Sequence, residues 1–232
     1  MLLLVLVTAG LLAYGNLLAF RAVRAPIVVA LNLALAAGLV LMARSAGASW
    51  HALGLDPRGV GSGLIQGAIV AGVVLASGFL VLLTPLRRPF RDLRAVEMRP
   101  SQLAFHYLLR IPFGTALAEE VFFRGVLLTL AAAEGWGLGA LVWSSAAFGL
   151  WHVGATLDFL RANRPSADGP EKALAVLAGV AFTTVGGILF AVLRITAESL
   201  LAPILAHAAV NTVGFTLARP EPRTRASRPA RG

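Results

Sequence analysis

The chain has 232 residues, of which 58% are hydrophobic and 13% are charged. Soluble domains average about 45–50% apolar and about 25% charged residues, so this composition excludes an ordinary soluble domain and predicts an integral membrane protein. The net charge is +9, and cysteine is absent. The lack of cysteine excludes disulfides, thiol catalysis and cysteine metal sites. Because the basic residues follow a membrane topology, as argued below, we expect the lipid bilayer as a partner and no nucleic acid.

Seven apolar runs are long enough to cross a bilayer, which takes about 20 helical residues. The first run has no basic start and no small-residue cleavage site, so we predict a retained span rather than a cleaved signal peptide. The fold is therefore predicted to be an all-α, polytopic membrane protein with about seven transmembrane helices, forming a single domain over residues 1–217. The runs are residues 2–20, 26–42, 64–86, 103–133, 137–155, 173–193 and 199–217.

Basic residues are distributed unevenly between the connections that join these runs. Fifteen lie in the connections after runs one, three and five and in the C-terminal tail, and only Arg44, Arg58 and Arg194 lie in the others. The positive-inside rule assigns the richer side to the cytoplasm. We therefore expect a multi-pass protein of the inner (cytoplasmic) membrane with its N-terminus outside. The basic tail, residues 218–232, is predicted to be disordered and cytoplasmic.

The fourth run contains four charged residues, Arg110, Glu119, Glu120 and Arg124, and the last three lie close together. An ionised group at the centre of a membrane helix costs roughly 2.5–3.5 kcal/mol on insertion scales, so such groups normally pair or face a cavity. Glu120 and Arg124 are four residues apart and share a helix face, which predicts a structural ion pair. Glu119 is rotated from Glu120 by about 100°, so it can face a cavity instead.

Three further polar side chains lie at membrane depth in other runs. His152 lies near the end of the fifth run, and His207 and Asn211 share one face of the seventh. At about 1.5 Å per residue, the topology puts these three residues and Glu119 in the cytoplasmic half of the bilayer. We therefore predict an intramembrane active-site cavity. His51 and His106 are expected to lie outside this site.

Two chemistries suit this set of side chains. A carboxylate with a histidine can deprotonate water, while a histidine or an asparagine stabilises the oxyanion that forms when water attacks an amide. Glu119, His152 and His207 could instead ligate a divalent metal such as zinc, which would lower the pKa of bound water to about 7. Both routes lead to peptide-bond hydrolysis, so the cofactor is left open between none and a divalent metal.

The polar residues also form an ordered set of three motifs, a Glu-Glu pair followed four residues later by Arg, a Phe-x-x-x-His motif and a His-x-x-x-Asn motif. In this order and within membrane spans they resemble the CPBP family, the prenyl-protein (CAAX) and bacteriocin-processing intramembrane endopeptidases, also called Abi. The resemblance covers roughly residues 111–215, within a predicted core of about 103–217. The motif residues are Glu119, Glu120, Arg124, Phe148, His152, His207 and Asn211.

The resemblance implies a role for each motif residue. Glu119 and His152 would activate the water, and His207 and Asn211 would stabilise the oxyanion, with Glu120 and Arg124 as the structural ion pair. The predicted function is an intramembrane endopeptidase that hydrolyses a peptide bond in a membrane-associated protein or peptide, such as a sorting tail or a peptide precursor. The alternative is a non-catalytic membrane scaffold or bacteriocin-immunity protein of the same fold. A small transporter with a proton relay fits the polar groups but not the family pattern.

Overall fold

The computed structural model describes residues 1–19, 23–94 and 98–219, and within these ranges it contains helices and turns but no strand. This confirms the all-α prediction. The α-helices, in chain order, are α1 (Leu2–Ala19), α2 (Ala25–Ser45), α3 (Val60–Leu82), α4 (Pro100–Phe105), α5 (Ala118–Glu120), α6 (Leu128–Ala133), α7 (Leu138–Trp151), α8 (Val153–Asn163), α9 (Gly169–Ala197) and α10 (Leu201–Ala218).

Helices α4, α5 and α6 are parts of one continuous helix over residues 100–133, here called the central helix. Between them the backbone is π-helical over His106–Leu117 and Val121–Leu127. Pro112 lies inside the first π-helical segment. A proline has no N–H and cannot donate the i→i−4 hydrogen bond of an α-helix. π-Helical turns are rare and often mark functional sites, and here two of them flank Glu119 and Glu120.

Within the described part of the chain, six helices are long and apolar enough to cross a membrane. The central helix corresponds to the remaining apolar run of the sequence, and its change between α and π geometry divides it into shorter segments. The predicted count of seven spans is therefore correct as an approximate number. Several boundaries differ from the prediction by about four residues, and α9, Gly169–Ala197, extends beyond both ends of the predicted run of residues 173–193. Helix α3 begins at Val60 and ends at Leu82, and the fifth run breaks at His152 and continues as α8 to Asn163.

Helix α10 carries two of the predicted site residues and packs closely against α3. The contact is close because α3 presents glycines to α10. A Cβ atom added at Gly67 would lie 2.9 Å from the Cα of Ala202, and one added at Gly78 would lie 2.5 Å from Val213. Small residues allow membrane helices to approach closely in this way. Helix α10 also contacts the central helix and α9, so it is fixed in position on three sides.

The outer surface of the helices is strongly apolar. Exposed large side chains include Val73 and Phe79 on α3 and Phe182 and Leu189 on α9. A soluble protein rarely exposes contiguous apolar patches of more than a few hundred Å², whereas lipid chains solvate such a surface. The chain is therefore a multi-pass membrane protein whose helices face the lipid bilayer.

At one end of the helices, segments that the charge pattern assigns to the same side of the membrane contact one another. Arg194 donates hydrogen bonds to the carbonyl oxygens of His51, at 3.1 Å, and of Ala52. Thr129 donates to the same Ala52 oxygen at 2.7 Å. At this end, the terminus of α9 and the central helix thus hold the connection between α2 and α3.

At the opposite end of the helices, the segments that the charge pattern assigns to the other side of the membrane contact one another. A 3₁₀-helical segment, Pro85–Phe90, follows α3. After it, the Asp92 N–H donates to the carbonyl oxygen of Ala218 at 3.1 Å, and the Leu93 N–H donates to Asn163 at 2.8 Å. Arg94 contacts Asp158 at 2.5 Å. This segment is therefore attached to the ends of α8 and α10.

Some sequence predictions fall outside the described residues. Arg21 and most of the tail, residues 220–232, belong to this group, so the disorder of the tail stays a prediction. The division into a single domain over residues 1–217 and a tail is likewise still a prediction.

Candidate active site

Glu120 lies at the centre of a buried polar cluster. Its side chain and that of Arg124 are both fully buried, and Arg124 donates to Glu120 Oε1 at 3.1 Å. The same oxygen lies 2.8 Å from Nδ1 of His207. The ion pair expected from the four-residue spacing is therefore present. Glu120 has a second contact that the spacing did not predict, because it also fixes the histidine of α10.

His207 lies between the two glutamates. Its Nδ1 atom contacts Glu120, and its Nε2 atom lies 3.9 Å from Oε2 of Glu119. An ionised carboxylate can only accept a hydrogen bond, so the Nδ1 atom must carry the proton it donates to Glu120. The separation of 3.9 Å between the two atoms is too long for a direct hydrogen bond, and it is a distance that one water molecule can bridge.

Aromatic side chains enclose the rest of the cluster. The guanidinium of Arg124 lies over the ring of Phe148 at 4.1 Å and near Phe190 at 5.4 Å. Phe190 also stacks on His207, with the ring centres 4.9 Å apart. A Cβ atom at Gly187 would lie 3.0 Å from Arg124, so this glycine leaves space for the guanidinium. Cation–π contacts of this kind strengthen when water is excluded.

His152 is presented at a break between helices. It ends α7 and precedes α8, with φ −88° and ψ 0°. Its Nδ1 atom lies 2.7 Å from the carbonyl oxygen of Phe148. Because a carbonyl oxygen only accepts, the Nδ1 atom carries the proton, and the Nε2 atom of the neutral ring has a free lone pair. The break thus supplies a half-buried imidazole that can accept a proton.

A cavity of about 700 Å³ adjoins these groups. His152, His207 and Asn211 all line it, and apolar side chains of α3 and α9, such as Val70 and Leu189, form much of the remaining wall. Glu119 is not in the wall and is 6% exposed. Three of the four predicted catalytic residues therefore line one cavity, while the fourth, Glu119, lies next to His207 and outside the cavity wall.

The predicted metal ligands do not form a metal site in this arrangement. Among the described residues, no three His, Asp or Glu side chains are grouped closely enough to hold a metal ion. Both histidines do have one ring nitrogen engaged and the other available, as metal-bound histidines have. In this arrangement, however, Glu119, His152 and His207 are not grouped closely enough to bind one metal ion together.

Several contributors to the site could not be identified from the sequence. Phe190 is one of 12 phenylalanines, and no spacing distinguishes it from those that face lipid. Ser144 is buried and donates to the Phe123 carbonyl oxygen at 2.8 Å, so it connects α7 to the central helix. His106 was expected to lie outside the site, yet it lines a hollow that Asn211 also lines.

The fold and the site together define a class of protein. This is a polytopic helical membrane protein that keeps two carboxylates, an arginine and two histidines within its helices, next to a cavity with apolar walls. Ionisable groups in such a setting are functional groups by default.

The comparison with protein families then identifies the particular family. Residues 101–213 match the family model described as type II CAAX prenyl endopeptidase, Rce1-like. Across this segment the chain is similar to that family of membrane endopeptidases, which confirms the resemblance carried by the three motifs. Searches of curated proteins and of solved structures gave no match.

Proposed function

We propose that the protein is an intramembrane endopeptidase that hydrolyses a peptide bond of a membrane-associated protein or peptide substrate with an activated water. The observation that carries this proposal is the position of His207. It contacts Glu120 through Nδ1, faces Glu119 through Nε2, and lines the same cavity as His152 and Asn211. A purely structural cluster would not require three such polar groups on the wall of one apolar cavity.

Glu119 and His152 are the proposed general bases. Neither Oε2 of Glu119 nor Nε2 of His152 has a hydrogen-bond partner among the described residues, so both can accept a proton. A water in the gap between Glu119 and His207 would give a proton to Oε2 of Glu119 as its oxygen attacks the carbonyl carbon of the substrate. The same proton then passes to the leaving nitrogen as the C–N bond breaks.

His207 and Asn211 are the proposed oxyanion donors. Because Nδ1–H of His207 is committed to Glu120, donation from Nε2 requires a protonated, cationic ring. Two carboxylates and one guanidinium lie in the buried cluster around the ring. The Asn211 side chain makes no hydrogen bond within the described residues, which leaves its amide free to donate.

The cavity suggests how a substrate binds. Val70 and Val74 of α3 and Phe182 and Leu189 of α9 line it, and both residues of α9 are exposed on the outer surface. A volume of about 700 Å³ can take a few residues of extended peptide. We infer that a substrate held at the membrane by an apolar segment reaches the site along this wall. The charge pattern supports a cavity in the cytoplasmic half of the inner membrane.

The test uses the purified full chain in lipid nanodiscs and synthetic peptides of eight randomised residues that carry an N-terminal palmitoyl group. Mass spectrometry of the products measures the cleavage rate. We expect cleavage by the wild type, and a loss of about 10²–10³-fold in Asn211→Ala, the usual effect of removing one oxyanion donor. A chelator should leave the rate unchanged. Binding of the peptides without any cleavage would contradict the proposal.

The non-catalytic scaffold or immunity protein is the second candidate. The observation that favours it is the burial of Glu119, which is 6% exposed and not part of the cavity wall. A scaffold would keep its biological function in cells when Glu119 is changed to Gln and His152 to Ala, whereas the endopeptidase would lose it. This comparison separates the two candidates without knowledge of the substrate.

A further inference from the structure

Asn16 is a polar residue of the first membrane-spanning helix, α1, and its side chain reaches the break between α7 and α8 at which His152 lies. The side-chain N–H group donates to the carbonyl oxygen of Leu150 at 3.2 Å and to that of Leu12, on α1 itself, at 2.9 Å. The side-chain oxygen accepts from the Gly154 N–H at 2.7 Å. One amide therefore bonds to the backbone on both sides of His152.

The two backbone groups that Asn16 contacts are partners in an uninterrupted helix. In α-helical geometry the Gly154 N–H donates to the carbonyl oxygen of Leu150, four residues earlier. A side chain that inserts into such a pair is one of the causes of a sharp bend in a helix. Here α7 ends at Trp151 and α8 begins at Val153. Asn16 therefore bonds to both members of the pair within which the helix breaks.

Two glycines allow α1 to approach this break closely. A Cβ atom added at Gly154 would lie 3.0 Å from the backbone oxygen of Asn16 and 3.1 Å from its Cα atom. One added at Gly15 would overlap the ring of Trp151, the last residue of α7. Small residues allow the backbones of membrane helices to approach in this way. The short side chain of Asn16 can therefore reach the backbone of both α7 and α8.

The backbone at the break determines where the imidazole of His152 lies. The Nδ1 atom of the ring is bonded to the Phe148 carbonyl oxygen at 2.7 Å. The carbonyl oxygen of His152 accepts from the N–H and from the hydroxyl of Thr156, both at 2.9 Å. The ring is thus tied to α7 and the backbone to α8, and the ring lines the cavity. A change in the angle between the two helices would therefore move the ring.

We propose that Asn16 is a positioning residue, whose amide holds the helix break in the geometry that presents His152 to the cavity as a proton acceptor. This inference rests on the proposed peptidase function. Asn16 does not line the cavity, so it acts through His152 and not on the substrate. The segment that matches the family model begins at residue 101, so this contribution comes from a helix outside the matched segment.

The first experiment measures kcat and KM of the full chain in phosphatidylcholine nanodiscs, with a palmitoylated peptide that the wild type cleaves. Asn16→Leu should lower kcat by about 10–100-fold and leave KM within about twofold, because a misplaced catalytic group slows the reaction without weakening substrate binding. Asn16→Asp keeps the acceptor for the Gly154 N–H and should retain more of the rate. Thr8→Val is the matched control and should change neither constant, since Thr8 bonds α1 to Trp143 of α7, away from the break.

A double-mutant cycle tests whether Asn16 acts through His152. If it does, Asn16→Leu should have little further effect in a protein that already carries His152→Ala, because the group that it positions is gone. A purely structural role predicts that the two losses multiply, and that result overturns the proposal. A wild-type kcat in Asn16→Leu also overturns it, while the endopeptidase stands.

A second measurement does not depend on cleavage. The chain has four histidines, so NMR spectra of protein with isotope-labelled histidine contain few imidazole signals, and the signal of His152 is the one that His152→Ala removes. Asn16→Leu should shift this signal, and Thr8→Val should not. A shifted signal without cleavage by the wild type supports the positioning role and overturns the peptidase, whereas an unshifted signal overturns the positioning role. If Asn16→Leu does not fold, Asn16→Ala removes the amide without added bulk, and the same outcomes decide.

Discussion

Arg124 is fully buried, and few polar groups compensate for the removal of its charge from water. It makes one hydrogen bond, to Glu120, and its Nε and second terminal nitrogen have no partner among the described residues. The rings of Phe148 and Phe190 lie next to its guanidinium. A buried ion pair contributes little net stability, but removing one partner leaves an uncompensated charge.

We therefore expect Arg124→Ala to lower the free energy of unfolding by roughly 3–5 kcal/mol, because Glu120 would remain as a buried charge without its cation. The measurement is thermal unfolding of the purified protein in detergent. Arg164→Ala, which removes an exposed ion pair with Glu171, is the control and should change stability by less than about 1 kcal/mol. Full thermal stability of Arg124→Ala with loss of activity would instead assign Arg124 to catalysis or substrate binding.

At this scale the sequence predicted contacts between neighbours on one helix better than contacts between distant parts of the chain. The four-residue spacings identified the Glu120–Arg124 pair and the shared face of His207 and Asn211. The contact of Glu120 with His207 joins two distant parts of the chain, so no local spacing predicts it.

At the scale of elements, the contact between α3 and α10 determines where His207 and Asn211 lie. Glycine stands where α3 touches the α10 backbone, as at Gly67, and also where α3 has open space, as at Gly72. The two positions on one helix allow a matched comparison. The sequence alone predicts both helices from their apolar runs, but it does not distinguish a glycine that packs from one that faces lipid.

Gly67→Ala should destabilise the protein by about 1–3 kcal/mol, because the new Cβ would lie 2.9 Å from the Cα of Ala202 and overpacked contacts cost about this much. Gly72→Ala, with nothing within 4 Å, should be neutral or stabilise by up to about 1 kcal/mol through better helix propensity. Thermal unfolding in the same detergent measures both variants. Equal effects of the two substitutions would show that α3 and α10 are not in close contact.

The segment after α3 is held by charged hydrogen bonds that respond to pH. Partial burial tends to raise the pKa of Asp92, but hydrogen bonds from Arg94 and Asn163 outweigh it and lower the pKa from 3.8 to about 2. A carboxyl whose pKa is lower in the folded state stabilises that state above its unfolded pKa. The stabilisation is then lost as the pH falls through the folded pKa.

We expect the attachment of the segment around Asp92 to be constant from pH 7 to about 4 and to be lost between about 4 and 2. Because Arg94 is 40% exposed, solvent screening limits the contribution of its ion pair with Asp92 to the stability of this attachment to about 1 kcal/mol or less. The attachment is measured by the hydrogen-exchange protection factor of the Leu93 amide, corrected for the intrinsic effect of pH on exchange. Asp92→Asn should remove the transition, and an unchanged profile in that variant would contradict this assignment.

At the scale of the whole molecule, the charge pattern and the packing agree on which segments share a side. Arg94 meets Asp158 at one end, and Arg194 meets the connection after α2 at the other. The number of apolar runs and the alternation of charge are properties of composition, so the sequence was sufficient to predict them. The π-helical stretches of the central helix depend on packing as well as on Pro112, and no apolar pattern predicted them.

The orientation of these two ends is a separate prediction. Since basic residues are concentrated on one set of connections, we expect the end of α10 to be cytoplasmic and the connection after α2 to be outside. A fluorescent protein fused after Ala218 should be bright, and an alkaline phosphatase inserted between α2 and α3 should be active. A dark fluorescent fusion together with active phosphatase at the C-terminal position would reverse the topology.

The central claim is that two adjacent glutamates have different roles, and it is tested most directly by comparing Glu119→Gln with Glu120→Gln. Glu119→Gln removes a general base and makes no change to a hydrogen bond of the cluster, so peptide cleavage should fall by about 10²–10⁴-fold with an unchanged unfolding temperature. Glu120→Gln leaves Arg124 without its counter-charge and should lower the unfolding temperature itself. Cleavage at the wild-type rate by Glu119→Gln would contradict the account.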